Sequence, residues 1–332
     1  MKTEKNRLMD VKAKGAKWLS LALCLTAGFS FSACSDDDDE GGNGGAGSGV
    51  AAQQMPKVAD AGIQFPVMEQ SGGHGSFDFT YSDGRVVDWG DDFLSLSFNP
   101  LVIKGEEPTY TEEYKNIKMN AKGFMTYADY SYSWSEYDDI GNAHGTLVWM
   151  YDEEGHLVKE VANIDDSSDG LISWTCQWKW ENGNLVSGQY EEDGDVTQYA
   201  FTYDTDKWEN PGVYVFMSDI SGCLSDEFFY SGLMGLPTRN IPTRMMIREL
   251  DGGEESHRST YNTVAVNYNP DGSVQSIEMQ NVFSYGSSYT DTYRFGYVDY
   301  PIQQQSGYSA TPAWKSPKAV HGMKARRMMK RK

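Results

Sequence analysis

One short unit recurs along this chain and limits what it can fold into: an aromatic residue, a short polar stretch, glycine, any residue, then leucine or valine. It appears at Tyr81–Val86, Tyr151–Leu157, Trp180–Leu185, Tyr190–Val196 and Tyr268–Val274. Asp-Gly and Asn-Gly steps accept the positive φ that tight turns need, and an aromatic paired with an aliphatic across two strands adds cross-strand contact. Each unit therefore reads as a hairpin. Alternation between the units agrees. Trp174, Cys176, Trp178 and Trp180 fall on one strand face, opposite Thr175, Gln177 and Lys179. Val264, Val266 and Tyr268 make a second such face, and Tyr293, Phe295 and Tyr297 a third. The tryptophan face is expected to be core. The fold class is all-β: an antiparallel β-meander of about ten to fourteen strands forming a curved sheet or a barrel-like domain. The units are irregularly spaced, which excludes a solenoid or propeller.

Residues 210–250 break the pattern with Pro211, Pro237, Pro242 and the apolar run Phe228–Leu236. This predicts a long, partly helical connection, which either plugs an open end of the sheet or simply crosses over and covers core.

The first 17 residues carry Lys2, Lys5, Arg7, Lys12, Lys14 and Lys17, and an apolar run from Trp18 to Phe31 follows. A basic stretch, an apolar stretch and a small-residue exit make a secretory signal. The run falls short of the roughly 20 apolar residues a spanning helix needs. The exit, Phe31-Ser32-Ala33-Cys34, resembles the bacterial lipobox, whose cysteine takes a diacylglycerol thioether. Residues 1–33 are thus expected to be a lipoprotein signal peptide, with Cys34 lipidated as the membrane anchor. Ser35, Asp36, Asp37, Asp38, Asp39 and Glu40 are similar to the export signal that sends Bacteroidota lipoproteins to the outer face of the outer membrane. A glycine-rich stretch follows, so residues 34–57 are expected to form a flexible tether. Residues 58–300 are expected to form the β-rich domain, and residues 301–332 a basic disordered tail.

Charge narrows the partners. The chain has a formal net charge of −20 and a mean hydropathy of −0.57. Lys315–Lys332 is basic and free of acid, so the body is more acidic still. Such a body repels nucleic acid and anionic membrane surfaces. After removal of Cys24 and lipidation of Cys34, Cys176 and Cys223 remain. The exported compartment permits a disulfide between them, and two small buried thiols are the other reading.

Three features together resemble an uncharacterised Bacteroidota outer-membrane lipoprotein family, a domain of unknown function with a porin-like fold. They are the Tyr-x-x-x-Gly-x-Leu hairpins, the segment Gly235-Leu-Pro-Thr-Arg-Asn240-Ile-Pro242, and the late Tyr268–Gly272 unit followed by an aromatic strand ending near Tyr300. Thr238 and Arg239 depart from the Lys or Ser usual in that family. The resemblance covers residues 123–300 and implies a barrel-like β architecture. It implies no activity and supplies no catalytic positions. The low hydropathy and polar outward positions favour a soluble barrel over a spanning one.

Chemistry is sparse. His74, His144, His156, His257 and His321 are scattered, and no Cys-x-x-Cys is present, so no metal is expected. Asp165–Gly170 and Asp204–Asp206 lack calcium-loop spacing and read as solvated turns. There is no Gly-x-Ser-x-Gly elbow and no phosphate loop, so no catalytic residue and no cofactor is assigned. The expectation is a non-enzymatic, surface-exposed binding or adhesion module. Its membrane contact is the lipid anchor, and a glycan, a host protein or another envelope protein are admissible partners. A structural envelope lipoprotein without ligand and a polysaccharide hydrolase are the alternatives. The hydrolase requires two facing carboxyl groups about 5–10 Å apart.

Overall fold

The computed structural model describes residues 54–72, 77–89, 94–98, 100–107, 110–136, 139–167 and 170–302, all within the compact unit Gly49–Lys332. Residues 1–33, expected to be a signal peptide, Cys34, the acidic run Ser35–Glu40 and residues 303–332 lie outside the described residues. Met55 and Pro56, expected at the end of the tether, are buried and already belong to the body.

Sixteen strands form one antiparallel sheet. They are β1 (Glu69–Ser71), β2 (Phe77–Ser82), β3 (Arg85–Trp89), β4 (Leu94–Ser97), β5 (Val102–Glu107), β6 (Tyr110–Met119), β7 (Met125–Glu136), β8 (Asp139–Tyr151), β9 (Leu157–Asp166), β10 (Gly170–Glu181), β11 (Asn184–Glu192), β12 (Asp195–Thr202), β13 (Arg244–Asp251), β14 (Glu254–Tyr268), β15 (Val274–Phe283) and β16 (Ser288–Gly296). From β4 back to β16 each strand pairs with its sequence neighbour except where the meander wraps: β16 pairs with β1, and β1 with β2. The sheet thereby curls into a nearly closed barrel, with β3 and β4 at its two ends. The strand number exceeds the expected ten to fourteen. The surplus lies in β1–β5, which run only three to six residues, too short to repeat a period of two legibly.

All five recurrent units are hairpins. In four of them the aromatic faces the aliphatic directly: Tyr81 opposite Val86, Tyr151 opposite Leu157, Trp180 opposite Leu185 and Tyr268 opposite Val274. The fifth departs. Tyr190 faces Thr197, while Val196 faces Glu191. Its strands stay paired as far as Glu192 and Asp195 around a two-residue turn, whereas the equally spaced Tyr151 and Tyr268 units close through five residues, and that tighter closure shifts the register. Positive φ values at Asn182 and Gly183 (53° and 76°) make the Trp180 turn the tight type that strand twist favours. Val264 is also displaced from its expected face: β14 bulges between Thr263 and Ala265, and Val264 is 52% exposed.

The four in-register hairpins all close the same end of the barrel, which is also where residues 203–243 run. That connection carries α1 (Met217–Ile220) and α2 (Asp226–Tyr230) and is buried over most of its length. The expected plug is therefore present. The proline motif threads it into place. Leu236 N–H donates to Gly155 O (3.1 Å) and Arg239 N–H to Gly183 O (2.8 Å), so two hairpin turns grip it. Asn240 is locked to Asn184 through N–H to Oδ1 (2.8 Å) and Asn184 Nδ2 to Asn240 Oδ1 (3.1 Å). Residues 55–67 complete the closure, with Val58 N–H on Gly84 O and Gln64 N–H on Pro211 O, both 3.0 Å.

The barrel interior is filled. Trp89, Tyr114, Trp149 and Trp174 from the wall and Phe228, Phe229 and Tyr230 from the plug are almost wholly buried. Aromatic rings meet across the boundary, as in Tyr114 against Phe228 at 5.0 Å and Trp89 against Phe228 at 5.2 Å. Glycines on both sides allow this approach. A Cβ on Gly188 would press on Ile220 of the plug, and one on Gly222 would overlap the Trp174 indole.

Candidate functional site

Cys176 and Cys223 are both buried free thiols, so they are not joined by a disulfide. Burial, and then the nearby Glu160 charge, push both thiols well above the ordinary cysteine value. They stay protonated and inert at neutral pH. They mark the point where wall and plug meet at Glu160, a residue with no solvent exposure. Its Oε1 accepts from Trp174 Nε1 (2.7 Å), Gly222 N–H (2.9 Å) and the Cys176 thiol (3.4 Å). Its Oε2 accepts from Trp149 Nε1 (3.0 Å) and Ser221 Oγ (2.7 Å). β8, β9 and β10 are thus tied to the plug through one carboxylate. The tryptophan face is core, as expected, and this buried acid is a structural hub.

The outer wall is chemically the reverse of the interior. Ser131, Ser133 and Ser135 alternate with buried Tyr130, Tyr132 and Trp134, and Asn142, His144 and Thr146 with buried Ala143 and Leu147. On β16, Thr292 and Arg294 alternate with buried Tyr293 and Phe295. Barrels that cross membranes carry an apolar band outside and polar groups within. This barrel is polar outside and packed with aromatics within.

One concavity of about 660 Å³ lies on that wall, crossing β8 to β13. Register explains its shape. Lys159, Gln177, Gln189, Gln198 and Arg248 sit opposite one another on five successive strands and form one row. Lys179, Ser187, Ala200 and Met246 form a parallel row two residues along. Between the rows runs the backbone of Trp178, Gly188 and Tyr199, with the Trp178 and Tyr199 side chains buried. Short Ser187 and Ala200 leave the second row low at its middle, and the long side chains at its ends close the trough. The row spans about 19 Å at ~4.8 Å per strand. Arg248 is held by Glu255 at 2.9 Å, which Arg258 also grips at 2.7 Å. Those two guanidinium hydrogen bonds hold the Glu255 carboxyl below its ordinary range. No acidic residue lines the trough, so it does not supply the facing carboxyl pair that a hydrolase needs.

The barrel end opposite the plug carries an exposed aromatic group around the β15–β16 turn. Phe283 and Tyr285 stack at 5.1 Å with 8° between their planes, Tyr289 lies 5.8 Å from Phe283, and His257 lies 6.2 Å from Phe283. Tyr285 is 70% exposed and Tyr289 47% exposed. Exposed rings in one cluster are the composition that contact surfaces favour.

A third grouping, missed in the sequence, sits in the Tyr151–Leu157 turn. One ligand atom each from Asp152, Glu154 and His156 lies within 4.8 Å of the others. His156 Nδ1 is 2.9 Å from Asp152 and 3.7 Å from Glu154, and its ring stacks on Trp180 at 4.3 Å. Burial pushes the Asp152 carboxyl up, but hydrogen bonds from the His156 backbone and ring and from Gly155 N–H outweigh it and leave it below its ordinary value. Asp152 already accepts two backbone N–H groups at 2.8 Å, which makes it the organiser of the turn. Among the expected solvated turns, Asp204 receives Asp206 N–H at 3.3 Å, within its own loop.

Fold and surface together define a plugged, nearly closed antiparallel β-barrel with a polar outer wall, a lateral trough and an aromatic pole. Solved structures similar to the chain include a porin-like protein from Bacteroides vulgatus ATCC 8482, 13% identical, covering 70% of this chain and 98% of that one, with a TM-score of 0.46. A porin-like protein from Bacteroides uniformis ATCC 8492 is 12% identical over the same shares, with a TM-score of 0.30. A DUF1089 family protein from Pseudomonas aeruginosa is 14% identical, covers 61% of this chain and 92% of that one, and has a TM-score of 0.22. No protein-family model matches the chain, and neither does any curated protein sequence.

Proposed function

We propose that this chain is a lipid-anchored binding module of the bacterial outer membrane, facing outward and presenting its aromatic pole to a partner. The observation that carries this reading is the polarity of the barrel. The chain enters at the plugged end, where residues 55–67 pack, and leaves at the same end, where Ile302 N–H reaches Glu69 Oε1 at 2.6 Å. The described part of the chain therefore begins at the plugged end. The ring cluster of Phe283, Tyr285 and Tyr289 lies at the other. A polar wall and a filled interior support attachment by lipid rather than by a spanning barrel.

Protease treatment of intact cells tests the address. Release of the body from wild-type cells, and its retention inside cells carrying Cys34→Ala, are expected. Protection of the wild-type body in intact cells overturns the outward-facing reading. The pole is tested by Tyr285→Ala/Tyr289→Ala in whole-cell glycan-array and host-protein adhesion assays, where loss of the captured partner is expected. An unchanged binding profile removes the pole from the account.

A further inference from the structure

We propose that the trough across β9–β13 is a binding site for an extended, hydroxyl-rich, anionic chain, namely an acidic oligosaccharide. Three features of the trough converge on that chemistry. The first is charge. Lys159, Lys179 and Arg248 line it and no acid does, in a protein whose net charge is −20. Lys179 contacts Glu181 at 2.7 Å and Arg248 contacts Glu255, whereas Lys159 has no ion pair among the described residues. Lys159 and Arg248 stand at the two ends of one row, so a ligand bearing carboxylate or sulfate groups along its length meets a cation at each end. The second feature is the row itself. Gln177, Gln189 and Gln198 lie side by side on adjacent strands. Each amide both donates and accepts, as hydroxyl groups do, and the three repeat at ~4.8 Å. The third is shape. The trough is open, long and shallow, and Ser187 and Ala200 leave room at its centre.

An acidic peptide fits less well. Peptides that bind sheets add to a free edge, where backbone groups await partners. Here the floor strands β10, β11 and β12 are each paired on both sides, so their backbone groups are already engaged. Side chains, and a floor of backbone already paired within the sheet, face the ligand. The inference does not depend on the aromatic pole, which lies around a different turn.

The experiment uses the full mature chain in detergent. Affinities are measured by calorimetry for polygalacturonate, hyaluronate and dextran sulfate, for methyl-esterified polygalacturonate, and for poly-L-glutamate. Binding to at least one acidic polysaccharide is expected, with weaker binding to the neutral ester and to the hydroxyl-free polyglutamate. Lys159→Gln/Arg248→Gln is expected to weaken that binding about tenfold or more, the loss of at least one charge-assisted hydrogen bond. Gln189→Leu is expected to weaken it as well, with the ester affected alongside the acid. Tyr285→Ala leaves it unchanged, which separates this site from the pole. All four substitutions lie at solvent-accessible positions, and an unchanged urea midpoint checks that the variants fold. Failure of all three acidic polysaccharides to bind, equal binding of ester or polyglutamate, or unaltered affinity in Lys159→Gln/Arg248→Gln overturns the proposal.

Discussion

Replacing Glu160 by glutamine keeps the shape of the hub and removes its charge, so the stability change reads the hydrogen bonds to the carboxylate less the cost of burying it. The geometry gives the magnitude. If the amide oxygen takes the Oε1 position, it keeps Trp174 Nε1, Gly222 N–H and the Cys176 thiol as donors. The amide nitrogen then faces Trp149 Nε1 and Ser221 Oγ. Ser221 Oγ already accepts from Cys223 N–H (3.2 Å) and Leu224 N–H (2.9 Å), which limits its ability to reverse. The Trp149 indole N–H is orphaned in a buried site, at about 1–3 kcal/mol. Each of the three retained bonds passes from a charged to a neutral acceptor, at about 1 kcal/mol apiece. Relief of burying a carboxylate offsets a few kcal/mol of this. The expected net loss is about 2–4 kcal/mol, a large share of a typical domain's ~5–15 kcal/mol. Urea unfolding followed by tryptophan fluorescence measures it directly, because Trp149 and Trp174 report the hub. At an m-value of about 3 kcal/mol/M the midpoint falls by ~1 M. A midpoint within ~0.2 M of the parent, or above it, refutes the view that this carboxylate fastens wall to plug.

Other consequences are as direct. Cys176 and Cys223 should resist a thiol reagent in the native protein at pH 8, and both should react in urea without reductant; a single reactive thiol, or none, contradicts two free buried groups. Gly222→Ala should displace the Trp174 indole and lower the stability read from urea unfolding by about 2 kcal/mol or more, as overpacking does, while Gly194→Ala, whose Cβ meets nothing, should cost only its backbone strain. Asp152 is held below its ordinary value when folded, so its contribution is present above about pH 4 and lost as pH falls through its lower folded value. The midpoint difference between the parent and Asp152→Asn should therefore be full at pH 6 and shrink below pH 4, and a difference that grows on acidification reverses the assigned sign.

Much of this barrel was legible because its hairpins are local. Tyr81, Tyr151, Trp180 and Tyr268 each predict their cross-strand aliphatic partner from spacing alone. The prolines of residues 210–250 likewise announce the plug. Glu160 was illegible for a specific reason. Counting alternately from Leu157 sends residue 160 outward, but the ladder slips between Met150 and Tyr151, and the extra residue on β9 reverses the parity. A charged residue that looks solvated becomes the most buried acid in the core. The trough was hidden for another reason. Gln177, Gln189 and Gln198 come from three strands, and only the register of two hairpins sets them in line. No one-dimensional spacing encodes that. Tyr190 shows how narrow the margin is: its spacing to the turn glycine equals that of Tyr151 and Tyr268, but its strands stay paired as far as Glu192 and Asp195, and the tighter turn sets it opposite Thr197.

The inverted wall also explains why the parts of the chain belong together. A barrel whose interior is filled by aromatics has spent its apolar residues inward, and its outer faces offer a bilayer serine, threonine, asparagine and glutamine. Each such group costs free energy in hydrocarbon, where no water can satisfy it. That cost weighs against a spanning barrel and is the reason the attachment proposed here is placed outside it, at Cys34. The same inversion makes the flank available. A wall that faced lipid could not carry Lys159, three glutamines and Arg248 in one row. Facing water, it can present that row as a recognition surface while the plug keeps the sheet rigid behind it.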